Sequence, residues 1–176
     1  MGILDFSRTI EDLYADYGKY HTTAINKIIH VICVPQILYT LISLFAHFSW
    51  RIGTNPLTEI HLGIIPLAII LLLYIKLDFP SGLVAAVLYS ALYFVGNYTF
   101  IYYGPSHLKF VGLVQLICWG LQFAGHALEN KRPALVDNIL LTLAAPLFVV
   151  IEVMFFFGYK PELHRLCEST LNKKDK

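Results

Sequence analysis

The chain has 176 residues, of which 57% are hydrophobic and only 14% charged, and its formal net charge is +1. A soluble domain of this size needs more polar surface, so the composition points to a membrane protein. A near-neutral balance without a basic block excludes nucleic acid as a partner. Cys33 and Cys118 lie in apolar runs and Cys167 in a polar tail, with no CxxC spacing. They read as packing residues rather than a disulfide framework.

The first 24 residues are polar and mixed in charge, unlike a removable signal peptide. Within them Ile10, Leu13, Tyr14 and Tyr17 recur at helical spacing, with Glu11, Asp12 and Asp16 opposite and Gly18 as a stop. That pattern predicts a short amphipathic helix at the bilayer interface. Five stretches then approach the roughly 20 apolar residues that cross a bilayer core. They run at about 26–50, 57–77, 81–103, 109–129 and 137–158, and the last is broken by Pro146 and carries Glu152, which suits a re-entrant segment. The breaks hold helix-stopping residues, among them Pro56, Asp78, Pro80, Gly104, Pro105 and Asn130. The expected fold is all-α: one polytopic helical bundle, a single membrane domain over residues 1–176, preceded by the interfacial helix.

Six polar residues interrupt this apolar background: His21, Asn26 and His30 near the start, then Gln122, His126 and Glu129. An ionisable side chain central to a membrane helix costs about 2.5–3.5 kcal/mol on insertion scales, so it persists where a partner, water or a metal compensates it. Alternating the spans brings His21, His30, His126 and Glu129 to one membrane face and sends His47, His61 and His107 to the other, where headgroups and water satisfy an imidazole. Asn26 and His30 are i and i+4, as are Gln122 and His126, and Glu129 follows His126 by three, so each group lies along one helix face. His21 would point away from His30 on a continuous helix, so the chain must bend or start its helix between them.

One such histidine alone is commonly a hydrogen-bonded core residue; several at one face indicate a buried metal site. Nitrogen ligands with at most one carboxylate suit iron or zinc. Asn26 and Gln122 read as catalytic-site residues that orient imidazoles, since amides bind metals weakly. Glu129 reads equally as a ligand, a base or a helix-end carboxylate near Lys131 and Arg132. Those two cations either steer an anionic substrate or anchor the chain to the cytosolic leaflet. The tyrosines of the third span, Tyr89, Tyr93, Tyr98, Tyr102 and Tyr103, read as belt and packing residues. A second functional class is a small transporter or scaffold with structural histidines. A transport path, however, carries polar groups through the midplane, where the second and third spans show little beyond Asn97.

The stretch Tyr20-His21, Asn26, Ile29-His30 and Pro35, followed by Gln122-Phe123-Ala124-Gly125-His126, Glu129, Arg132-Pro133-Ala134-Leu135 and Asp137-Asn138, resembles the 2-hydroxy fatty acid dioxygenase family. The likeness continues through Ala145-Pro146, Phe148, Glu152 and Gly158. It implies an enzyme of fatty acid α-oxidation, as in phytosphingosine breakdown at the endoplasmic reticulum. Such an enzyme uses Fe2+ and O2 to shorten a 2-hydroxy long-chain fatty acid by one carbon. By the same resemblance His21, His30 and His126 are the metal ligands; for such a substrate, Lys131 or Arg132 is the expected partner of the carboxylate. The tail Lys173-Lys174-Asp175-Lys176 resembles a dilysine retrieval signal, which works in the cytosol. A re-entrant last segment would put tail, site and most Lys and Arg on that side, as the positive-inside rule prefers.

Overall fold

A computed structural model of the chain describes residues 8–48, 55, 59–131 and 139–165. Its regular elements are helices: α1 (Ile10–Tyr20), α2 (Ala24–Leu44) with a 3₁₀ turn over Phe45–His47, α3 (Ile64–Leu77), α4 (Phe79–Tyr103), a 3₁₀ turn over Gly104–Ser106, α5 (His107–Leu128) and α6 (Ile139–Phe155). Two helical runs, Ala24–His47 and Phe79–Leu128, are long and apolar enough to cross a membrane. The second joins two expected spans, because Gly104 takes a φ of 47° and the anticipated loop closes into a single helical turn. The chain divides into two compact units, one from the described residues up to Ile32 and from Leu121 onward, the other Cys33–Gly120.

In the first unit, Thr9 and Asp12 start α1 with a capping box, each side chain accepting from the other's backbone amide. The buried stripe is Ile10, Leu13, Tyr14 and Tyr17, as the spacing predicts. Its neighbour differs from the expectation of an interfacial helix. Tyr14 packs edge-on against Phe148 and Phe155 of α6, with ring centroids 5.5 and 5.4 Å apart, and Tyr17 lies 4.9 Å from Phe148. Aromatic faces that large are better covered by close-packed rings than by loosely ordered headgroups, so the stripe binds protein. Glu152 of α6, 9% exposed, accepts from Tyr14 Oη at 2.5 Å and pairs with Lys27 Nζ at 2.9 Å. A carboxylate in so apolar a helix requires such partners. Pro146 lies inside α6, and the expected start of that segment, 137–138, falls outside the described residues.

In the second unit, α3 and α4 form a hairpin. Asp78 caps α4 by accepting from Ser81 N at 3.2 Å and from the Ser81 hydroxyl. Gly82 packs against the backbone of Tyr74 and Ile75, and a Cβ there would lie 2.6 Å from both. α3 begins at Ile64, later than the expected Leu57, because His61 builds its first turn: its carbonyl accepts from Ile64 N at 3.0 Å and its Nδ1 from Gly63 N at 3.1 Å. Fourteen residues rise about 21 Å, short of a hydrocarbon core of about 30 Å. Several polar residues of this unit pair with one another. Gln115 donates to Thr40 Oγ1 and Ile37 O, Tyr39 bonds Thr99 at 2.6 Å, and Asn97 donates to Glu59 O at 2.6 Å. His61 and His107 are buried against protein groups, away from the water and headgroups expected from their positions, and His47 is half-buried. His47 Nε2 lies 2.8 Å from His107 Nδ1, and His61 stacks on Tyr93 at 4.5 Å. Of the α4 tyrosines, Tyr89 and Tyr93 are buried, whereas Tyr98 and Tyr102 are exposed, dividing packing from belt.

Candidate metal centre

Three histidines from separate elements converge in the first unit. His21 follows α1, His30 lies in the second turn of α2, and His126 ends α5. All are buried, and one ligand atom from each lies within 4.8 Å of the others. Their ring centroids are 4.1 Å apart for His21 and His30, 5.0 Å for His21 and His126, and 5.1 Å for His30 and His126. The bend expected between His21 and His30 is present: α1 ends at Tyr20, and His21 leaves it with φ −130° and ψ 82°.

Two of the rings are held by the same device. His21 Nδ1 lies 2.9 Å from Tyr17 O, and His30 Nδ1 lies 2.9 Å from Asn26 O, each four residues earlier. A carbonyl only accepts, so both Nδ1 atoms carry the proton and Nε2 is left as the lone-pair nitrogen. His21 Nε2 and His126 Nδ1 are buried with no hydrogen-bond partner. Burial, and after it the neighbouring His30, holds the His21 imidazole well below its ordinary pKa, which keeps it neutral and able to ligate. Buried neutral nitrogens that converge without protein partners fit a transition-metal ion, and a three-ligand set leaves positions open for reactants.

Glu129 ties the segment after His21 to the end of α5 that bears His126. Its Oε1 accepts from Thr22 N at 2.9 Å, Thr23 N at 2.6 Å and Thr23 Oγ1 at 2.8 Å. Thr23 Oγ1 in turn accepts from Asn26 N at 3.3 Å, so the carboxylate sits at the start of α2, where the helix dipole favours negative charge. The local sequence explains how Glu129 arrives there. Lys131 N bonds His126 O and Asn130 N bonds Ala127 O, both at 3.1 Å, closing α5 with a Schellman turn. Asn130 occupies the left-handed position at φ 52°, which asparagine tolerates better than most residues. Gly125 allows the approach of α5 to the start of α2, since a Cβ there would overlap Asn26 Oδ1 and press on Ile29.

The other predicted site residues divide. Asn26 is buried, gives its carbonyl to His30, and leaves Oδ1 without a partner; Gln122 is buried with Nε2 unpartnered, one turn before His126. Lys131 Nζ donates to Lys19 O at 2.7 Å and Thr22 Oγ1 at 3.2 Å. Arg132 and the lysine tail lie outside the described residues. Sequence reasoning missed Tyr17, which stacks on His21 with centroids 3.9 Å apart, and the pair Lys27 and Glu152. Tyr17 stands four residues before His21, as Asn26 stands before His30; that repeated interval was the available signal. Burial, then Glu152 and Glu129, pushes the Tyr17 phenol well above its ordinary range.

A family model described as 2-hydroxy-palmitic acid dioxygenase Mpo1-like matches residues 7–157. The chain belongs to the Mpo1-like family. Its relative in Saccharomyces cerevisiae, 2-hydroxy-palmitic acid dioxygenase MPO1, is 33% identical over 165 residues, covering 91% of this chain and 88% of the yeast protein. No solved structure matches this Mpo1-like chain. The matched region contains all three converging histidines and Glu129.

Proposed function

We propose that the protein is an iron(II)-dependent dioxygenase that shortens a 2-hydroxy long-chain fatty acid by one carbon. The observation that carries this reading is the convergence of His21, His30 and His126 within 4.8 Å in a chain of the Mpo1-like family. The reaction balances without another cofactor: R-CH(OH)-COOH and O2 give R-COOH, CO2 and H2O, the four electrons removed being those one dioxygen accepts. Bound by the three imidazoles, Fe2+ would supply the Lewis acidity and the redox chemistry with O2. The chain's own residues do the rest. Tyr17 O and Asn26 O fix the two Nδ1 protons, keeping the Nε2 lone pairs of His21 and His30 directed inward. Glu129, with Thr22 and Thr23, holds His21 and His126 in register, and Asn26 and Gln122 line the catalytic site beside their histidines. Lys131 and Arg132 draw in the anionic head group.

The acyl tail lies among apolar helices, in a polytopic protein of the endoplasmic reticulum whose site faces the cytosol. Exposed Ile25, Ile28 and Ile32 on α2 and Leu113, Leu116 and Ile117 on α5 support contact with lipid, as large apolar side chains left bare do. Metal analysis of the detergent-purified protein beside its His126→Ala variant tests the centre. About one iron per chain, lost in the variant, together with oxygen consumption on 2-hydroxypalmitate, is the expected result. No iron after anaerobic reconstitution would remove the dioxygenase reading.

A further inference from the structure

Tyr14 and Tyr17 are buried neighbours on α1, with ring centroids 5.7 Å apart, yet their hydroxyls fare differently. Tyr14 Oη donates to Glu152 at 2.5 Å. Tyr17 Oη is equally enclosed and has no hydrogen-bond partner. The Tyr17 ring cannot turn away to find one. It is stacked on His21 at 3.9 Å and 21° and packed against Phe148 at 4.9 Å. A buried hydroxyl left unpaired is destabilising, and phenylalanine in its place would avoid that cost with the same ring. Of the eight buried side-chain polar atoms without partners among the described residues, six belong to the first unit: those of Tyr17, His21, Asn26, Gln122, His126 and Glu129. Unsatisfied polar atoms therefore gather on the metal-centre residues, and Tyr17 Oη is the one hydroxyl among them.

We propose that Tyr17 is a substrate-binding residue of this centre, its hydroxyl donating a hydrogen bond to an oxygen of the bound 2-hydroxy acid. The proposal rests on the dioxygenase reading and deepens it: the ligand is the oxygen-rich head of a free hydroxy acid, seated on the face of the centre that His21 and Tyr17 share. The phenol is a donor that does not compete for the metal with the imidazoles. The unpaired state of its hydroxyl is the stability given up so that ligand binding can satisfy it.

The test compares Tyr17→Phe with Tyr14→Phe in the full-length, iron(II)-loaded protein, in detergent and without oxygen, so that 2-hydroxypalmitate binds but is not turned over. Tyr17→Phe should keep its iron, melt no lower than the wild type when ligand-free, and bind 2-hydroxypalmitate about tenfold to a hundredfold more weakly. Tyr14→Phe should show the reverse: a lower melting temperature, because Glu152 loses a donor, with affinity unchanged. Unchanged affinity in Tyr17→Phe overturns the proposal. So does a loss of iron or a lower ligand-free melting temperature, either of which would make the hydroxyl structural. A wild-type protein that takes up no iron, or takes it up and binds no 2-hydroxypalmitate, removes the dioxygenase reading and this inference with it; a failure confined to Tyr17 leaves that reading standing.

Discussion

The two units of the chain treat histidine in opposite ways. In the second unit the rings of His47 and His107 share a hydrogen bond at 2.8 Å, and the His61 ring stacks on Tyr93 while its Nδ1 accepts from Gly63 N at 3.1 Å; the Tyr93 hydroxyl also accepts from His61 N at 2.7 Å and donates to His61 O at 3.1 Å. In the first unit His21 and His30 donate from Nδ1 to backbone carbonyls one turn earlier, which leaves Nε2 with its lone pair, and one ligand atom from each of His21, His30 and His126 lies within 4.8 Å of the others. Burial alone does not separate the groups, since His61 and His107 are as enclosed as His21 and His30. The difference is which partner takes the first nitrogen. A backbone amide that donates to Nδ1, as Gly63 does to His61, uses that lone pair and puts the ring proton on Nε2; a carbonyl four residues earlier, as for His21 and His30, takes the Nδ1 proton and leaves Nε2 with its lone pair.

The largest effect that would sharpen this contrast is on metal content. Alanine at His21, His30 or His126 should each abolish metal retention and turnover, whereas His107→Gln should keep its iron and lose only thermal stability. Iron lost equally from both kinds of variant would erase the distinction. Next comes Glu129→Ala, which leaves the amides of Thr22 and Thr23 without their acceptor. Iron affinity, measured by chelator competition, should fall about tenfold to a hundredfold, as when an outer partner of a metal ligand is removed. Gly125→Ala should destabilise by about 1–3 kcal/mol in a denaturant titration, because the new methyl overlaps Asn26. Gly120→Ala, with open space around it, should be neutral or gain up to about 1 kcal/mol from helix propensity. The smallest effect is expected from Tyr93→Phe: about 1 kcal/mol of stability lost with the His61 backbone contacts, and no change in metal content.

The histidine set was legible in the sequence because its signals are side-chain signals: polar residues at i and i+4 in apolar helices, and a spacing from His21 to His30 that demands a bend. The buried stripe of α1 was legible for the same reason. Its occupant was not, because the periodicity of Ile10, Leu13, Tyr14 and Tyr17 states that a face is apolar without stating whether lipid or Phe148 covers it. The supports of the centre were hidden more deeply. Tyr17 and Asn26 act through carbonyls, and Thr22 and Thr23 through amides, groups that nearly every residue type carries. The role of Glu129 depends on Asn130 adopting a left-handed turn, a backbone choice that the residue permits but does not announce. The start of α3 at Ile64 is hidden because the His61 turn that begins it is built by hydrogen bonds.

The grip of Glu129 on Thr22 and Thr23 spans 107 and 106 residues of chain. During synthesis the segment bearing His21 and His30 leaves the ribosome long before α5 is made, so it emerges with only part of a centre. The third histidine, His126, and the closing carboxylate of Glu129 arrive only as α5 is completed. The histidine cluster is therefore assembled late, after most of the apolar helices exist, and its closing is a late step of folding.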